Sequence, residues 1–514
     1  GKSQNGSVTW SRDGRMLAFR STRQNGSSND VWVMTADDPA SARMVLESPD
    51  GSYWIPVDLS ADNRQLLILN YVGNADSRIY LLDVTTGERK LLAGGPDNPG
   101  VNFPVGFDAS GRGFWYTTDS AGEFQQLAWQ SVAPGAKPEL VTADIPWHVE
   151  EVLLTDDRQR AAFSVNENGF SRLYLMDAGS RAYSQVADLP VGVLGGGDFS
   201  PDGKRLALTL NTPQTPSDTF VLELDPDPTR HGKLTRWTFS EVGGLDSTGF
   251  IQPELIEFPT FDSARGGPGT IPAWLYKPAG KGPHPVVISI HGGPEAQSRP
   301  YFSSTYQMWL ENLGAAVLVP NVRGSNGYGK GYMGLDNGFR REDSVKDIGA
   351  LLDWIATRPD LDQGRVAVFG GSYGGYMVLA SAVHYSDRLK AAVDIVGISS
   401  FVTFLENTQD YRRDARRAEY GDERDPAMRA HLEKISPLNN VAKIAVPMFV
   451  VQGQNDPRVP VTEAEQIVAA LRKQGQPVWY MNALNEGHGY RKKENSDIYQ
   501  QATILYMQQN LVGE

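Results

Sequence analysis

Two patterns of apolar and polar positions divide the chain. In about the first 210 residues, short apolar runs are separated by polar turns in which an aspartate lies one to three residues before a glycine, asparagine or arginine. Asp-Gly and Asn-containing pairs supply the positive φ that a tight hairpin turn needs. These turns recur every 45 to 49 residues, with anchors at Gly14, Asn63, Gly111, Arg158 and Gly203. Such a period with short strands is typical of four-stranded β-propeller blades.

The pattern within one period supports this interpretation. Met16–Phe19 follows the first turn, and Asp30–Met34 indicates a third strand. One blade cannot bury both of its faces, so blades have to stack around an axis; a β-sandwich with accidental spacing is the alternative. Five blades of about 47 residues fit between 7 and 240. Because propellers with more blades are commoner, we expect one or two blades, or an N-terminal arm, to be missing from this chain.

The pattern changes near residue 250, where continuous apolar runs alternate with helical stretches. Such runs mark parallel strands that are covered on both faces. They are Val286–Ile290, Ala316–Val319, Val366–Phe369, Ala391–Val396 and Met448–Val451. Between them, apolar residues from Val345 to Ile355 recur at helical spacing. The sequence therefore predicts a multidomain β plus α/β protein, with a β-propeller over 1–245 and an α/β domain over 246–514.

Composition narrows the function further. The 514 residues carry a formal net charge of −13, which disfavours nucleic acid as a partner. No apolar run is long enough for a membrane span. The absence of cysteine excludes disulfides and Cys-based zinc sites, and no metal, P-loop or dinucleotide motif is present, so we expect no cofactor. With Gly1 as first residue, we expect a chain processed or truncated at its front and a periplasmic or secreted protein, with the cytoplasm as alternative.

The sharpest chemical signal is a nucleophile elbow at Ser372. A buried strand runs into Gly370-Gly371-Ser372-Tyr373-Gly374, and an apolar helix follows. The G-x-S-x-G pattern between a strand and a helix is the signature of α/β-hydrolases. The turn is so sharp that the residues two before and two after the serine must be small. We therefore predict an α/β-hydrolase domain with Ser372 as nucleophile rather than a structural glycine-rich turn.

A serine hydroxyl needs a base, and in this fold an acid and then a histidine follow the nucleophile along the chain. Asp456 comes just after the predicted strand Met448–Val451, and His488 is the one histidine beyond it. Both follow the carboxyl ends of strands, where open α/β sheets build their sites. The sequence predicts the triad Ser372, Asp456 and His488. Glu486 is a competing acid, which we interpret as a carboxylate that fixes its own loop.

The loop after Val286–Ile290 is a candidate oxyanion hole. It reads His291-Gly292-Gly293-Pro294, and small residues allow backbone N–H groups to approach a substrate oxygen. With the N–H of Tyr373, the donors would come from His291, Gly292 and Gly293. A plain turn is the alternative.

Together these motifs resemble the prolyl oligopeptidase family of serine peptidases, in particular its acylaminoacyl-peptidase and dipeptidyl-peptidase-like members. The matching segments are Gly370–Gly375, His291–Pro294, Asn321–Gly329, Asp456 with Arg458–Pro460, and Glu486–Gly489. The resemblance implies hydrolysis of short peptides, with the propeller shielding the site. Several members place a tyrosine where this chain has His291, which favours backbone donation to the oxyanion.

The resemblance also implies a substrate pocket. It would be lined by Tyr376, Ile398, Phe401, Phe404, Arg458 and Val459. The two phenylalanines have the spacing of core residues as well, so both interpretations stay open. The same holds for Arg412, Arg413, Arg416 and Arg417, which form either an anchor for a substrate carboxylate or a salt-bridged face. Glu150-Glu151 is similar to the acidic pair that binds a free amino terminus in dipeptidyl peptidases, or is a strand edge.

The leading hypothesis is a serine exo- or oligopeptidase acting on short peptides, with a possible homo-oligomer. An esterase or other acyl hydrolase with the same triad is the first alternative. A non-catalytic propeller scaffold is the second, although a scaffold has no need of Ser372, Asp456 and His488 together.

Overall fold

The computed structural model describes residues 3–48, 52–262 and 267–513. The chain divides into two compact units. The first comprises Gly1–Asn211, Ser217–Ser240 and Gly327–Lys330. The second comprises Thr212–Pro216, Glu241–Asn326 and Gly331–Glu514.

The first unit contains five four-stranded antiparallel sheets, in agreement with the five predicted blades. Each sheet uses four consecutive strands. Their bounds are β1 Asn5–Trp10, β2 Met16–Ser21, β3 Asp30–Thr35, β4 Asp38–Leu46; β5 Tyr53–Leu59, β6 Gln65–Gly73, β7 Asp76–Asp83, β8 Arg89–Ala93; β9 Asn102–Phe107, β10 Gly113–Thr118, β11 Gln126–Ser131, β12 Glu139–Leu140; β13 His148–Leu154, β14 Arg160–Glu167, β15 Phe170–Asp177, β16 Tyr183–Gln185; and β17 Val193–Phe199, β18 Arg205–Asn211, β19 Asp218–Leu224, β20 His231–Arg236. The repeat predicted from sequence is confirmed, whereas the missing blade or arm stays a prediction.

The turns between the first two strands of each blade have the predicted conformation. All five anchors have a positive φ, between 58° at Asn63 and 71° at Gly14. In four blades a Ser or Thr hydroxyl at the start of the turn donates to the aspartate two residues later, as Ser11 does to Asp13 over 2.6 Å. This local hydrogen bond explains why the motif recurs in sequence.

Asp58 joins four of the five blades through one carboxylate. It lies at the end of β5, and its Oδ2 accepts a hydrogen bond from the N–H of Phe107 in the third blade at 2.8 Å. Arg158 of the fourth blade lies 3.2 Å from Oδ1, and Arg12 of the first blade lies 3.6 Å from Oδ2. The side chain is only 8% exposed, so the ion pairs are weakly screened by solvent.

The second unit is built on one eight-stranded sheet with strand order β21-β22-β24-β23-β25-β26-β27-β28. From β24 to β28 the neighbours pair in parallel, as predicted, while β21 and β22 are antiparallel. The strands are β21 Glu254–Pro259, β22 Thr270–Tyr276, β23 His284–Ile290, β24 Ala316–Pro320, β25 Leu361–Gly371, β26 Ala391–Ile395, β27 Met448–Gly453 and β28 Val478–Ala483. The α/β-hydrolase architecture predicted from sequence is confirmed.

The helices of this unit cover both faces of the sheet. They are α1 Ser304–Asn312, α2 Lys330–Met333, α3 Asp343–Ala356, α4 Tyr373–Tyr385, α5 Phe401–Asn407, α6 Asp410–Tyr420, α7 Pro426–Ile435, α8 Val461–Lys473 and α9 Lys493–Met507. None of the helices in the described residues combines the length and the apolar character that a bilayer span requires.

Alternation along the strands shows which helices share a face. Ile288 and Val368 belong to the buried core that includes α3 and α4. The neighbouring Phe369 points the other way, because its ring centroid lies 4.8 Å from that of Trp309 on α1. On the same face, Phe449 of β27 contacts Tyr506 of α9. Helices α1 and α9 therefore lie on one face, and α3 and α4 on the other.

We expect Asp58→Asn to destabilise the propeller by about 2 kcal/mol, because Arg12 and Arg158 lose the charge that compensates theirs in a largely buried site. In this variant the side-chain amide oxygen can still accept the backbone N–H of Phe107. The variant therefore removes the charge at position 58 and keeps the hydrogen bond. Hydrogen-exchange mass spectrometry on β5 and β9, the two strands joined by this carboxylate, measures the effect as faster exchange. The matched control is Asp188→Asn, an exposed aspartate. Equal exchange in the two variants would show that the ion pairs do not hold the blades together.

Candidate active site

Ser372 stands at the turn between β25 and α4. Its φ of 60° and ψ of −120° lie outside the regions that non-glycine residues favour. Its backbone N–H donates to the carbonyl of Ile395 at 2.8 Å, and its carbonyl accepts from Tyr376 at 3.1 Å. A strained serine between a strand and a helix is the geometry of a nucleophile elbow.

The glycines around Ser372 are required by backbone contacts. A Cβ on Gly374 would overlap the carbonyl oxygen of Ile290, and one on Gly370 would lie 2.5 Å from the carbonyl oxygen of Gly374. Real Cβ atoms do not approach backbone atoms that closely. Gly371 differs, because a Cβ there would meet nothing nearer than 3.7 Å. The need for small residues at the two outer positions, predicted from the motif, is confirmed.

Asp456 and His488 form the second part of the site. Asp456 follows β27, His488 follows β28, and His488 Nδ1 lies 2.7 Å from Asp456 Oδ2. The other oxygen of Asp456 accepts the backbone N–H groups of Arg458 at 2.8 Å and Val459 at 3.0 Å. Since a carboxylate only accepts, Nδ1 carries the proton, and a neutral imidazole then keeps a lone pair on Nε2.

The hydroxyl of Ser372 and the ring of His488 lie at the same edge of the sheet, because β25 and β28 are parallel. Within residues 3–48, 52–262 and 267–513, no hydrogen bond joins the two side chains. The complete triad therefore stays a prediction. Glu486 occupies the role expected for it: its carboxylate accepts from Lys492 N–H and from the Asn495 amide, which lowers its pKa.

The loop from His291 to Gly293 lies against Ser372. A Cβ on Gly292 would be 3.3 Å from Ser372 Cβ and 3.9 Å from the N of Tyr373. Tyr373 is the first residue of α4, so helix geometry offers its N–H no acceptor. The His291 ring contacts the Gly292 carbonyl and the Ser325 hydroxyl, and burial lowers its pKa. Because both ring nitrogens of His291 have protein partners, the contacts favour backbone donation to an oxyanion, which stays a prediction.

Helix α6 holds the far end of this loop. The carbonyl of Gly293 accepts from Arg416 Nη1 and from the Tyr420 hydroxyl, each at 3.3 Å. Arg416 in turn pairs with Glu419 at 2.6 Å and lies 3.6 Å from Glu295. Arg416, whose side chain is 22% exposed, thus contacts the candidate oxyanion loop, a role that neither interpretation of the sequence suggested.

A buried polar network that the sequence reasoning missed supports Tyr373. Its hydroxyl lies 2.8 Å from the Ser344 hydroxyl and 3.1 Å from Asp336. Asp336 forms an ion pair with Arg341 at 2.6 Å, and neither side chain is exposed. A second guanidinium nitrogen of Arg341 donates to the carbonyl of Glu419 on α6. The network therefore connects the start of α4 with the helix that holds Gly293.

The residues proposed for the substrate pocket lie together in the core. Tyr376, Ile398, Phe401, Phe404 and Val459 are each at most 2% exposed. The rings of Tyr376 and Phe401 are 4.6 Å apart, and both phenylalanines contact the ring of Tyr420. Arg458 is exposed. The structure supports the core interpretation of these rings, while their part in substrate binding stays a prediction.

The remaining charged candidates have protein partners. Arg417 pairs with Glu423 and with Asp414, as a salt-bridged face would. Arg413 donates to the carbonyl of Thr408. Glu150 lies in β13, where it accepts from the Asn166 amide at 3.0 Å. This position in a strand agrees with the interpretation of Glu150-Glu151 as a strand edge. Binding of a substrate amino terminus by the pair stays a prediction.

The fold and the elbow define an α/β-hydrolase domain carried together with a β-propeller. Residues 300–514 match the model of the prolyl oligopeptidase family. Dipeptidyl aminopeptidase BIII of Pseudoxanthomonas mexicana is 36% identical over 236 residues, which are 45% of this chain and 34% of that protein. Protease 2 of Moraxella lacunata is 23% identical over 474 residues, or 91% of this chain and 66% of that protein.

Solved structures agree with this assignment at the level of the fold. A puromycin-hydrolysing peptidase of Mycobacterium tuberculosis superposes with a TM-score of 0.84 at 18% identity, covering 100% of this chain and 80% of its own. Residues 300–514 are thus the part of the chain for which the likeness to the prolyl oligopeptidase family is established. The residues that match dipeptidyl aminopeptidase BIII span 34% of that protein's length.

We expect Gly374→Ala to destabilise the second unit by about 3 kcal/mol, because its Cβ would overlap the carbonyl of Ile290 in a close-packed interior. Hydrogen exchange of β23 and β25 in the full chain measures the loss. Gly371→Ala is the matched control, since its Cβ would make ordinary contacts. If the two variants exchange alike, the close approach does not constrain the elbow.

Proposed function

We propose that the protein is a serine peptidase that hydrolyses short peptides through an acyl-enzyme formed on Ser372. The observation that carries the proposal is the 2.7 Å contact between His488 and Asp456 at the sheet edge where the elbow presents Ser372. The relatives support the choice of substrate, because those named above are called dipeptidyl aminopeptidase and protease.

In the acylation step, His488 Nε2 takes the proton of Ser372 as its oxygen attacks the scissile carbonyl. Asp456 keeps the imidazole in the required tautomer and stabilises its charged form. The carbonyl oxygen becomes an oxyanion and accepts from the N–H of Tyr373 and from backbone N–H groups of the loop at Gly292 and Gly293. Preorganised donors of this kind are worth about 3 kcal/mol each in the transition state.

Collapse of the tetrahedral intermediate breaks the C–N bond, and the imidazolium returns its proton to the departing amine. A water molecule then attacks the acyl-enzyme, with His488 again as base, and the acid product leaves. Shielding of the site by the propeller, which the resemblance implies, would restrict substrates to short peptides and stays part of the proposal.

We expect Ser372→Ala and Asp456→Asn to lower kcat for a peptidyl anilide by roughly 10⁶-fold and 10⁴-fold, as in enzymes with this triad. A fluorophosphonate probe should label Ser372 in the wild type, and mass spectrometry locates the adduct. Asp353→Asn, at an exposed residue of α3, serves as the control with full activity. Folded wild-type protein that takes up no label at Ser372 would remove the nucleophile.

We further expect peptide cleavage to distinguish this protein from an esterase. The wild type should hydrolyse peptidyl anilides as well as p-nitrophenyl esters, and both activities should vanish in Ser372→Ala because one nucleophile serves both. A peptide library read by mass spectrometry identifies the scissile bonds. Turnover of esters with no cleavage of any peptide would favour the esterase alternative.

A further inference from the structure

The loop from His291 to Gly293 has little conformational preference of its own. Two glycines in succession can adopt many backbone conformations, so contacts with other residues have to fix them. Gly293 has a φ of 123°, and a Cβ there would lie 2.5 Å from the backbone N of Glu295. The position of the loop's N–H groups, which the proposed mechanism uses as oxyanion donors, therefore depends on the residues that hold its carbonyls.

Side chains hold both peptide planes that flank the Cα of Gly293. The carbonyl of Gly292 accepts from the His291 ring at 2.7 Å, and its plane also contains the N–H of Gly293. The carbonyl of Gly293, in the next plane, accepts from Arg416 Nη1 and from the Tyr420 hydroxyl. Release of this second plane would weaken the restraint on the first, because a glycine between them rotates freely.

Arg416 is itself restrained by carboxylates. Its guanidinium pairs with Glu419 at 2.6 Å and lies 3.6 Å from Glu295, which follows the loop. Glu419 is 1% exposed, so solvent screens this pair weakly. The planar guanidinium, held between two carboxylates, is a well-oriented donor to the carbonyl of Gly293.

The same end of α6 contacts the other predicted oxyanion donor. The rings of Tyr420 and Tyr373 are stacked with their centroids 6.1 Å apart, and the N–H of Tyr373 is the donor that α4 supplies. The Arg341 guanidinium donates to the carbonyl of Glu419 and lies 4.9 Å from the centre of the Tyr420 ring. One end of one helix is therefore in contact with both segments that have to face the oxyanion.

We propose that Arg416 is a positioning residue of the oxyanion hole. By holding the carbonyl of Gly293, it keeps the N–H groups of the loop at the distance from the Tyr373 N–H that a developing oxyanion requires. The inference rests on the proposed peptidase function, and the role differs from binding a substrate carboxylate. A substrate carbonyl carries less charge than the oxyanion, so the contribution of Arg416 is made mainly in the transition state.

Arg416→Met keeps the packing of the side-chain stem and removes its hydrogen bonds. We expect kcat for a peptidyl anilide to fall about tenfold while KM stays within about twofold of the wild type. The loss is smaller than for removal of a whole oxyanion donor, because the donors themselves remain. The rate at which a fluorophosphonate labels Ser372 should fall to a similar extent, since its phosphoryl oxygen enters the same hole. Arg416→Lys, which keeps a charged donor, should restore part of both rates.

Two further variants separate position from charge and from packing. Arg416→Met also removes the cation that pairs with Glu419 and Glu295. Arg416→Met combined with Glu295→Gln removes one charge of each sign and should lose as much kcat as Arg416→Met alone. Tyr420→Phe removes the other hydrogen bond to Gly293 with little change of volume and should lower kcat about threefold at unchanged KM. Hydrogen exchange of α4 checks that each variant is folded.

Arg429→Met, at an ion-paired residue of α7 whose side chain is 42% exposed, is the control and should keep both wild-type rates. A rise in KM for peptides with a free carboxylate, at unchanged kcat in Arg416→Met, would assign Arg416 to substrate binding and overturn the inference. Wild-type rates in Arg416→Met, or recovery of kcat in the double variant, would overturn it as well. If Arg416→Met does not fold, a kcat equal to the wild type in both Arg416→Lys and Tyr420→Phe has the same meaning.

Failure of the proposed function has a different signature. Folded wild-type protein would then take up no label at Ser372 and would cleave no peptide. Labelling and cleavage by the wild type, with Arg416→Met unaffected, would contradict the role of Arg416 alone and leave the peptidase in place.

Discussion

The site depends on one steric constraint, which is the contact of two backbone segments at Gly374 and Ile290 with no room for a Cβ between them. Gly374 opens α4, and Ile290 ends β23 just before the candidate oxyanion loop. The same contact therefore sets the position of Ser372 and of the loop beside it. Because it involves main chain on both sides, the geometry does not depend on mobile side chains.

Local rules explain which parts could be predicted from sequence. The hairpin turns repeat because each needs a positive φ and a Ser or Thr hydroxyl on an aspartate, and both requirements leave a mark in the sequence. The parallel strands are continuous apolar runs because both faces are covered. The pairing of Asp456 with His488 followed from chain order alone, since both loops leave the same edge of the sheet. The antiparallel β21 and β22 carry no comparable signal and were missed.

The polar residues that hold the candidate site in place could not be predicted from the sequence, because they come from distant segments of the chain. Asp336 and Arg341 lie in a loop region, Tyr373 follows the nucleophile, and Arg416 belongs to a helix whose charges resemble a solvated face. Each is unremarkable in its own segment. Only the fold brings Arg341 onto the Glu419 carbonyl and Arg416 onto that of Gly293. Removing one member of the buried Asp336–Arg341 pair would leave a charge without compensation, so the network must be kept whole.

The two faces of the sheet place different limits on which side chains can be substituted. On the face of α3 and α4, Phe401 and Phe404 are part of the continuous core, so a change of side-chain size there alters stability. On the opposite face, Arg299 and Tyr301 border an existing cavity, and Tyr301 is 46% exposed. Substitutions at that border remove little packing. Substitutions at the border of the cavity are therefore separable from folding, whereas those at Phe401 and Phe404 are tied to it.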